Sequence, residues 1–277
     1  MDPVMTPARS WLFVPSTRPD RYAKAITSGA DRVIFDLEDA VAPNEKDDGR
    51  RHLTSAKIPQ RLPGYVRVNS AMTPWFDDDL ASAAKLPIRG ILLPKADSAA
   101  HVEKAAAGLP ESCSIVPIIE TAAGFWNVLE VARAQRVERL VFGALDFSLE
   151  TGMHDEDGAF NYVRSQIVLA SKVAGIAPPV DSVSLSIDDP AVIHREATRS
   201  RHFGFAGKLC IHPRQLQTTN EAFRPTTEEV EWASEVLREV AARPSDAVFA
   251  FRGALVDRPV IERARQIHTL AESVPRR

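Results

Sequence analysis

The sequence predicts an α/β fold, specifically a (β/α)8 TIM barrel followed by a C-terminal arm of helices and a hairpin. Eight short apolar runs recur along the chain, and most are apolar on both faces, as in strands buried from both sides. Helical stretches separate most of these runs, which is the alternation typical of a parallel sheet. Eight such units favour a closed barrel over an open doubly wound sheet, the alternative architecture.

Each predicted strand is short and is bounded by turn residues. The eight runs are, in chain order, "SWLFV", "DRVIFD", "GYVRVN", "GILLPK", "SIVPIIE", "RLVFGALD", "PPVDSVS" and "FAGKLCI". The predicted helices between them are "PDRYAKAITSG", "DDDLASAAK", "SAAHVEKAAA", "GFWNVLEVARA", "NYVRSQIVLASKVAG" and "PAVIHREATRSRHFG". Three of these helices run into a glycine, a common helix stop, at Gly29, Gly175 and Gly204.

We expect the barrel to occupy residues 1–223 and the arm to occupy residues 224–277. In the arm, "TTEEVEWASEVLREVAA" predicts a helix opened by a capping box of Thr226 and Glu229. "DAVFAFRGALVD" predicts a hairpin that turns near Arg252 and Gly253, and "RPVIERARQIHTL" a last helix. Such an arm covers its own barrel or reaches a neighbouring subunit.

Composition excludes several classes of protein. Of 277 residues, 44% are hydrophobic and 26% charged, and the net charge of −3 comes with no basic block, so we expect no nucleic-acid partner. Cys113 and Cys210 are too few for a disulfide framework or a zinc site and are expected to be small buried residues. The chain shows neither a signal-peptide pattern nor an apolar stretch long enough for a membrane span, so we expect a cytoplasmic protein without membrane contact.

The most informative residues are two acidic ones that close successive apolar runs. Glu120 closes the fifth run and Asp146 closes the sixth, so in a parallel barrel both lie on the same rim. Mg²⁺ is commonly bound through one or two carboxylates together with water and substrate oxygens. The third run brings Arg67 to the same level, and its planar fork suits a carboxylate or a developing enolate. These residues predict a metal-assisted site for a small oxo acid.

Other polar residues also follow the predicted strands. They are Pro15, Ser16, Thr17 and Arg18 after the first strand, Asp36, Glu38 and Asp39 after the second, Asn69, Lys95, and Lys208 and His212 at the eighth. Their mixed charge suits an anionic substrate held on a cation.

Each candidate also has a structural interpretation, and the sequence leaves it open. Glu120 and Asp146 could cap the helices that follow them. Asp36, Glu38 and Asp39 could form a salt-bridged rim, or could orient metal ligands and their waters. Lys95 could be a counter-ion or a substrate contact, with a Schiff-base role disfavoured beside a metal. For His212 we favour a structural role.

Seven segments in order resemble the citrate lyase beta subunit and its stand-alone relatives, within the HpcH/HpaI aldolase superfamily. The resemblance covers nearly the whole chain. It rests on "RSWLFVPSTRPDRYAKAITSGADRVIFDLEDAVAP", "VRVNS" with "TPWFDDDL", "GILLPKADS", "PIIETAAG", "FGALDF", "GKLCIHPRQ" and "VDRPVIERAR".

The resemblance implies a lyase with one Mg²⁺, bound by Glu120 and Asp146. It implies that Arg67 holds the substrate carboxylate and the enolate oxygen, and that Asp36, Glu38 and Asp39 orient metal-bound waters. In relatives that act on acyl-CoA, an aspartate in a C-terminal segment handles the acetyl proton in a neighbouring subunit's site. The matching residue here is Asp257 in "GALVDRP", which could also cap the last helix. A homotrimer, or its dimer, is therefore expected by resemblance.

These considerations define the expected activity: cleavage or formation of a β-hydroxyacyl thioester such as malyl-, citramalyl- or citryl-CoA. The products of cleavage are a 2-oxo acid and an acyl thioester. We assign catalysis to Arg67, Asp257, Glu38 and Asp39, and substrate binding to Arg67, Glu120, Arg18 and Lys95. A CoA substrate would need basic residues near the first strand, such as Arg18, Arg21 and Lys24.

Three alternatives remain open: condensation as in a malate synthase, thioester hydrolysis, and a beta component of a multi-subunit citrate lyase that uses a carrier protein. Two departures from the family pattern, Ala123 in "ETAAG" and "DFSLETG" with Glu150 and Thr151, leave the size and identity of the substrate open.

Overall fold

The structure is a computed structural model that describes residues 8–59, 64–244 and 247–273. Its chain divides into two compact units, one covering Ala8–Asn220 and the other containing the described residues from Glu221 onward. The division falls inside the helix Gln215–Ala222. Each unit is described by itself below.

The first unit is a closed barrel of eight parallel strands. The strands are hydrogen-bonded in sequential order, and β8 pairs with β1, which confirms the predicted TIM barrel and excludes the open sheet. The strands are β1 (Ser10–Pro15), β2 (Arg32–Asp36), β3 (Gly64–Arg67), β4 (Gly90–Leu93), β5 (Ser114–Ile119), β6 (Val141–Phe142), β7 (Val180–Asp181) and β8 (Gly207–Cys210).

Helices follow every strand of the barrel. They are α1 (Tyr22–Ile26), α2 (Lys46–Ser55), α3 (Phe76–Ala83), α4 (Ala99–Ala107), α5 (Ala122–Trp126), α6 (Val128–Arg133), α7 (Ala144–Thr151), α8 (Asn161–Ala174), α9 (Pro190–Phe203) and α10 (Gln215–Ala222). Gly175 and Gly204 end α8 and α9 with φ of 73° and 100°, a conformation that favours glycine. These two predicted helix stops are therefore confirmed, whereas the stop predicted at Gly29 was wrong, because α1 ends at Ile26 with Thr27 as its C-cap.

The barrel core consists of side chains from all eight strands. Trp11, Ile34, Tyr65 and Leu92 belong to it and are fully buried. Trp11 and Tyr65 pack with ring centroids 4.8 Å apart. Cys113 and Cys210 are buried free thiols, as expected.

The helix α2 was not predicted, and its composition explains why. Its buried positions are Lys46, Gly49, Arg50 and Leu53, so a single large apolar residue faces inward and no apolar stripe marks the helix. Gly49 is needed there, because a Cβ atom would lie 2.4 Å from Ser16 Oγ. The single helix predicted from "GFWNVLEVARA" is two helices, α5 and α6, separated at Asn127.

The second unit contains the predicted helix–hairpin–helix. Helix α11 (Thr227–Ala242) begins with the predicted capping box of Thr226 and Glu229. Strands β9 (Phe249–Phe251) and β10 (Ala254–Val256) form the hairpin, and α12 (Arg258–Ser273) is the last helix. Arg252 and Gly253 have φ of 50° and 76°, as a two-residue primed turn requires. Helices α11 and α12 pack together around a core that includes Ala233, Val236 and Ala264.

Across the described ranges, every helix is too short or too polar to cross a membrane.

Candidate active site

Asp36 and Arg67 form the first part of the site, at the carboxyl ends of β2 and β3. The two residues are register partners in the parallel pair, so their side chains leave the barrel at the same level. Arg67 donates from Nε and Nη2 to both oxygens of Asp36, at 2.7 and 2.6 Å. Burial would raise the pKa of Asp36, but Arg67 outweighs burial and holds it below its usual range. This bidentate pair fixes the plane of the guanidinium.

The acidic turn that follows β2, Asp36–Asp39, contacts Arg67 at two more points. Arg67 Nη1 lies 2.9 Å from Glu38 Oε2 and 3.4 Å from Asp39 Oδ2. The guanidinium also stacks over Phe13, with its carbon 4.7 Å from the ring centroid. Four neighbours therefore determine where Arg67 points.

Lys95, just after β4, is the second cation of the site. Its Nζ lies 3.0 Å from Glu38 Oε1, 3.4 Å from Asp146 Oδ1 and 3.8 Å from Glu120 Oε1. Its backbone N–H donates to Glu120 Oε1 at 2.9 Å, and its φ is 49°, uncommon for a residue with a side chain. Lys95 thus links the acidic turn to both predicted metal ligands.

Glu120 lies directly after β5 and is 3% exposed. Burial raises the pKa of this carboxyl to about 8, and the charge of Glu38 adds to the shift, while Lys95 opposes it. Gly143 gives the carboxyl its space, because a Cβ atom at that position would lie 2.5 Å from Glu120 Oε2. Thr121, and not Glu120, caps the next helix by accepting from Gly124 N.

The prediction that Asp146 closes the sixth strand was wrong. Strand β6 contains only Val141 and Phe142, and Asp146 lies in the first turn of α7. The apolar run continues into the helix, so its periodicity did not show where the strand ends. Asp146 nevertheless reaches the same side of the barrel, where Lys95 joins it to Glu120. Ser182 Oγ accepts from Ala144 N at 3.1 Å at the start of α7.

A cavity of about 920 Å³ opens over these residues. Its lining includes Asp36, Asp39, Arg67, Glu120 and Asp146, together with the apolar side chains of Phe13, Ile118, Val183 and Leu209. Three cationic residues also line it, Arg21, Lys24 and Arg214. The cavity therefore combines acidic, apolar and cationic side chains, as a ligand with both charged and apolar parts requires.

The structure is similar to solved relatives over nearly its whole length. The sequence model of the HpcH/HpaI aldolase/citrate lyase family matches residues 9–213. The chain belongs to this family.

Relatives within the family carry different names. A citrate lyase subunit beta-like protein of Deinococcus radiodurans is 34% identical, over 94% of this chain and 95% of its own. A (3S)-malyl-CoA thioesterase of Cereibacter sphaeroides is also 34% identical, over 97% of this chain and 96% of its own. The CitE protein of Mycobacterium tuberculosis, solved with magnesium, acetoacetate and coenzyme A, has a TM-score of 0.86 and 34% identity, covering 96% of this chain and 98% of that one. The members of this family that are citrate lyase beta subunits are lyases, and this chain is an enzyme of that family.

The donor set of the site fits a hard divalent cation such as Mg²⁺. Within the described ranges, no group of three or more His, Cys, Asp or Glu side chains is placed to hold a metal alone. Glu120 and Asp146 supply carboxylates, and Mg²⁺ is usually bound by one or two of these, with the other positions filled by water and substrate. The three carboxylates around the Lys95 ammonium already form a setting for positive charge.

Several predicted candidates lie elsewhere. Arg18 pairs with exposed Asp20 at 2.7 Å and is absent from the cavity lining, whereas Arg21 and Lys24 are part of it. Lys208 is 4% exposed and lies 3.5 Å from Glu196 on α9, so it faces the helices and not the cavity.

Three other candidates have structural partners. Asn69 is buried beside Asp79 and Lys46. His212 lines the cavity and accepts from Arg214 N at 3.2 Å. Asp257 belongs to the second unit, where its side chain accepts from Val260 N at 3.4 Å at the start of α12. This contact agrees with the capping interpretation.

Two contacts near the site have no signal in the sequence, those of Lys46 and that of Glu150. Lys46 is 5% exposed and donates to atoms at the ends of β2 and β3. Glu150, noted only as a departure from the family pattern, accepts from Ala122 N at 3.1 Å. Ala122 belongs to helix α5, which also contains Ala123, the other departure from the family pattern. The two departures are therefore close in space.

Proposed function

We propose that this protein is a Mg²⁺-dependent carbon–carbon lyase that cleaves or forms a β-hydroxyacyl thioester such as malyl-, citramalyl- or citryl-CoA. The observation that carries the proposal is the meeting of Glu120, Asp146 and Arg67 at one cavity. Two carboxylates suited to Mg²⁺ lie beside a guanidinium suited to a carboxylate. The magnesium, acetoacetate and coenzyme A bound by the Mycobacterium tuberculosis relative support the same ligand classes here.

Glu120 and Asp146 would hold Mg²⁺. When bound, the metal would polarise the carbonyl of the oxo acid and stabilise negative charge on its oxygen. Asp36, Glu38 and Asp39 would accept hydrogen bonds from the waters around it, as the family resemblance implies.

Arg67 would orient the carboxylate of the oxo acid and stabilise the enolate oxygen of the acyl product. In the cleavage direction a carboxylate of the acidic turn, Glu38 or Asp39, would take the proton of the β-hydroxyl group, and the C–C bond would break to give the oxo acid. The electron pair of that bond goes to the acyl thioester as an enolate, which is then protonated at carbon. With its carboxylate at Arg67, the substrate would extend its acyl chain along the cavity.

The CoA part of the substrate would meet the cationic residues of the cavity lining. Arg21 and Lys24 are suited to the phosphates, and Arg214 adds a third positive charge. Arg18 has weaker support, since its guanidinium is engaged by Asp20. Reversing the charge of Lys24 should raise KM for the CoA thioester while leaving the affinity for the free oxo acid unchanged.

Asp257 would transfer the proton at the acyl carbon, from the arm of a neighbouring subunit in a homotrimer. The residue precedes α12, and its bond to Val260 N would fix the carboxylate. Asp257→Ala should abolish deuterium exchange into acetyl-CoA, while Asp257→Asn should keep the cap and still lose exchange. A monomer in light scattering at working concentration would contradict the contribution from a neighbour.

Two other activities are supported by named relatives. Thioester hydrolysis is the activity in the name of the Cereibacter sphaeroides protein, a (3S)-malyl-CoA thioesterase. A carrier-dependent citrate lyase component is suggested by the beta-like name of the Deinococcus radiodurans protein.

The test is turnover of the purified protein alone with malyl-CoA, citramalyl-CoA and citryl-CoA, following release of the oxo acid and of free thiol. Oxo acid release that EDTA abolishes would support the lyase, and thiol release would identify hydrolysis. No turnover of any of the three, with Mg²⁺-dependent binding of glyoxylate intact, would favour the carrier-bound substrate. Glu120→Gln and Asp146→Asn are the control variants, and retained Mg²⁺ dependence in both would contradict the metal assignment.

A further inference from the structure

Lys46 lies behind the acidic turn Asp36–Asp39 and does not line the cavity. Its Nζ donates to Leu37 O at 2.8 Å, Glu38 O at 2.8 Å and Asn69 Oδ1 at 2.7 Å. An ammonium group has three N–H donors, and here each has an acceptor. Two of these acceptors are peptide carbonyls of the acidic turn itself.

A second layer of buried groups fixes the position of Lys46. Asn69 donates from Nδ2 to Leu37 O at 3.0 Å and to Asp79 Oδ2 at 2.6 Å, and Asp79 is fully buried. Asp79 also accepts from the backbone of Asn69 at 2.8 Å. The network therefore ties the end of β2 to the end of β3, the two strand ends that carry the acidic turn and Arg67.

The charge of Lys46 matters as well as its hydrogen bonds. No carboxylate among the described residues forms an ion pair with its Nζ, although Asp36, Asp79, Glu38 and Asp39 all act on it electrostatically. A buried cation with only neutral direct partners costs free energy, so its placement calls for an explanation beyond packing. Beneath the turn, it offsets the mutual repulsion of three carboxylates held close together.

We propose that Lys46 is a positioning residue that holds the acidic turn, and through it Arg67, in the geometry needed for Mg²⁺ and the oxo acid. This inference rests on the proposed function and adds to it a determinant outside the cavity. Without Lys46, the carbonyls of Leu37 and Glu38 and the amide of Asn69 would lose their shared donor. The turn would shift, and Glu38 would lose its alignment with both Arg67 and Lys95.

The test compares Lys46→Met and Lys46→Arg with Lys208→Met. Methionine keeps the length of the side chain and removes its donors, whereas arginine keeps the charge but cannot direct one point donor to three converging acceptors. Lys208 is a matched control, because it is an equally buried lysine of the same barrel that faces the helices. Calorimetric titrations with Mg²⁺, and with glyoxylate in saturating Mg²⁺, are the main measurements, with Tm recorded for each variant.

Both Lys46 variants should weaken Mg²⁺ and glyoxylate binding about tenfold or more, as loss of groups that orient metal ligands does. Lys208→Met should lower Tm and leave both affinities near those of the native protein. Affinities in Lys46→Arg or Lys46→Met equal to those of Lys208→Met would overturn the proposal. These titrations need no turnover, so a protein that binds both ligands but cleaves no thioester would contradict the proposed function alone.

Discussion

The barrel contains two groups of charged residues that differ in their balance of carboxylates and cations. The outer cluster, Arg164, Asp181, Ser200 and Lys208, lies between the barrel and its helices, and its three charged members are each at most 4% exposed. The mouth cluster, Asp36, Glu38, Asp39, Arg67, Lys95, Glu120 and Asp146, lies at the carboxyl ends of the strands. The first has one fully buried carboxylate between two cations, each of which also pairs with a less buried acid at the edge of the cluster, Asp155 for Arg164 and Glu196 for Lys208. The second has five carboxylates on two cations.

The difference shows in the pKa of the carboxyl groups. Burial would raise the pKa of Asp181, but Lys208 and Arg164 outweigh it and hold the pKa below its usual range. In the mouth cluster only Asp36 is held low in this way, by Arg67. Burial raises the pKa of both Glu38 and Glu120, and the two cations do not offset it. A buried cluster short of positive charge is costly on its own and is stabilised when a cation binds, which is the property expected of a metal site.

The largest effect should follow from neutralising a ligand in the mouth cluster. Glu120→Gln keeps the shape of the side chain but removes one carboxylate, so we expect thioester turnover to fall on the order of 10³-fold. Its Tm without Mg²⁺ should not fall, because the cluster loses a carboxyl that burial disfavours. Steady-state kinetics and thermal unfolding together make the test, and a large fall in Tm would remove the contrast with the outer cluster.

The matching change in the outer cluster should affect folding and not catalysis. Asp181→Asn removes the fully buried carboxylate between Arg164 and Lys208 and leaves each cation only its less buried partner, Asp155 and Glu196 respectively. The loss should destabilise the protein by about 3 kcal/mol, the lower end of the cost of breaking a buried pair. Denaturant unfolding measures the loss. The Mg²⁺ affinity of the folded fraction should match that of the native protein, and a weakened affinity would mean that the two clusters are coupled.

The comparison also predicts a pH dependence with a definite sign. The pKa of Glu120 is about 8 in the folded protein against 4.5 as its ordinary value, so the folded state retains a proton that the unfolded chain releases. The stability of the Mg²⁺-free protein should therefore fall as the pH rises from about 4.5 to about 8, and then level off.

Because Mg²⁺ binds the ionised carboxylate, the rise in Tm on adding Mg²⁺ should be larger at about pH 8 than at about pH 6. Glu120→Gln is the control and should show no such difference. An equal rise at both pH values in the native protein would mean that Glu120 is already ionised at the lower one.

Much of the fold and part of the site could be predicted from sequence. The eight apolar runs predicted the barrel, because strand periodicity and βα alternation are local patterns. Glu120 and Arg67 could be placed on one rim because parallel strands end on one face.

The rest depended on contacts that no local pattern encodes. The sixth apolar run crosses from β6 into α7, so the position of Asp146 was predicted on the wrong element. Lys46 donates to backbone carbonyls just after β2, and nothing in the sequence of α2 itself marks this lysine as buried. Arg18 was grouped with the site by its place after β1, but a partner two residues away engages it.

The smallest expected effect concerns Glu150, which connects two parts of the mouth cluster. Glu150 lies one helical turn after Asp146 on α7, and its Oε2 accepts from Ala122 N, two residues after Glu120. It therefore ties together the segments that carry the two proposed metal ligands. The bond is exposed, so its loss in Glu150→Ala should cost about 1 kcal/mol, which sets roughly fivefold as the upper limit of the loss of Mg²⁺ affinity.

Glu150→Gln retains an acceptor oxygen and should restore most of that affinity, whereas Glu150→Asp, with its shorter side chain, should lie between the two. Calorimetric Mg²⁺ titrations of the three variants give the order directly. If alanine and glutamine bind Mg²⁺ equally well, the contact does not hold the ligands together. The glutamate at position 150 would then have to be explained by a contact with the substrate, which it would share with the nearby Ala123.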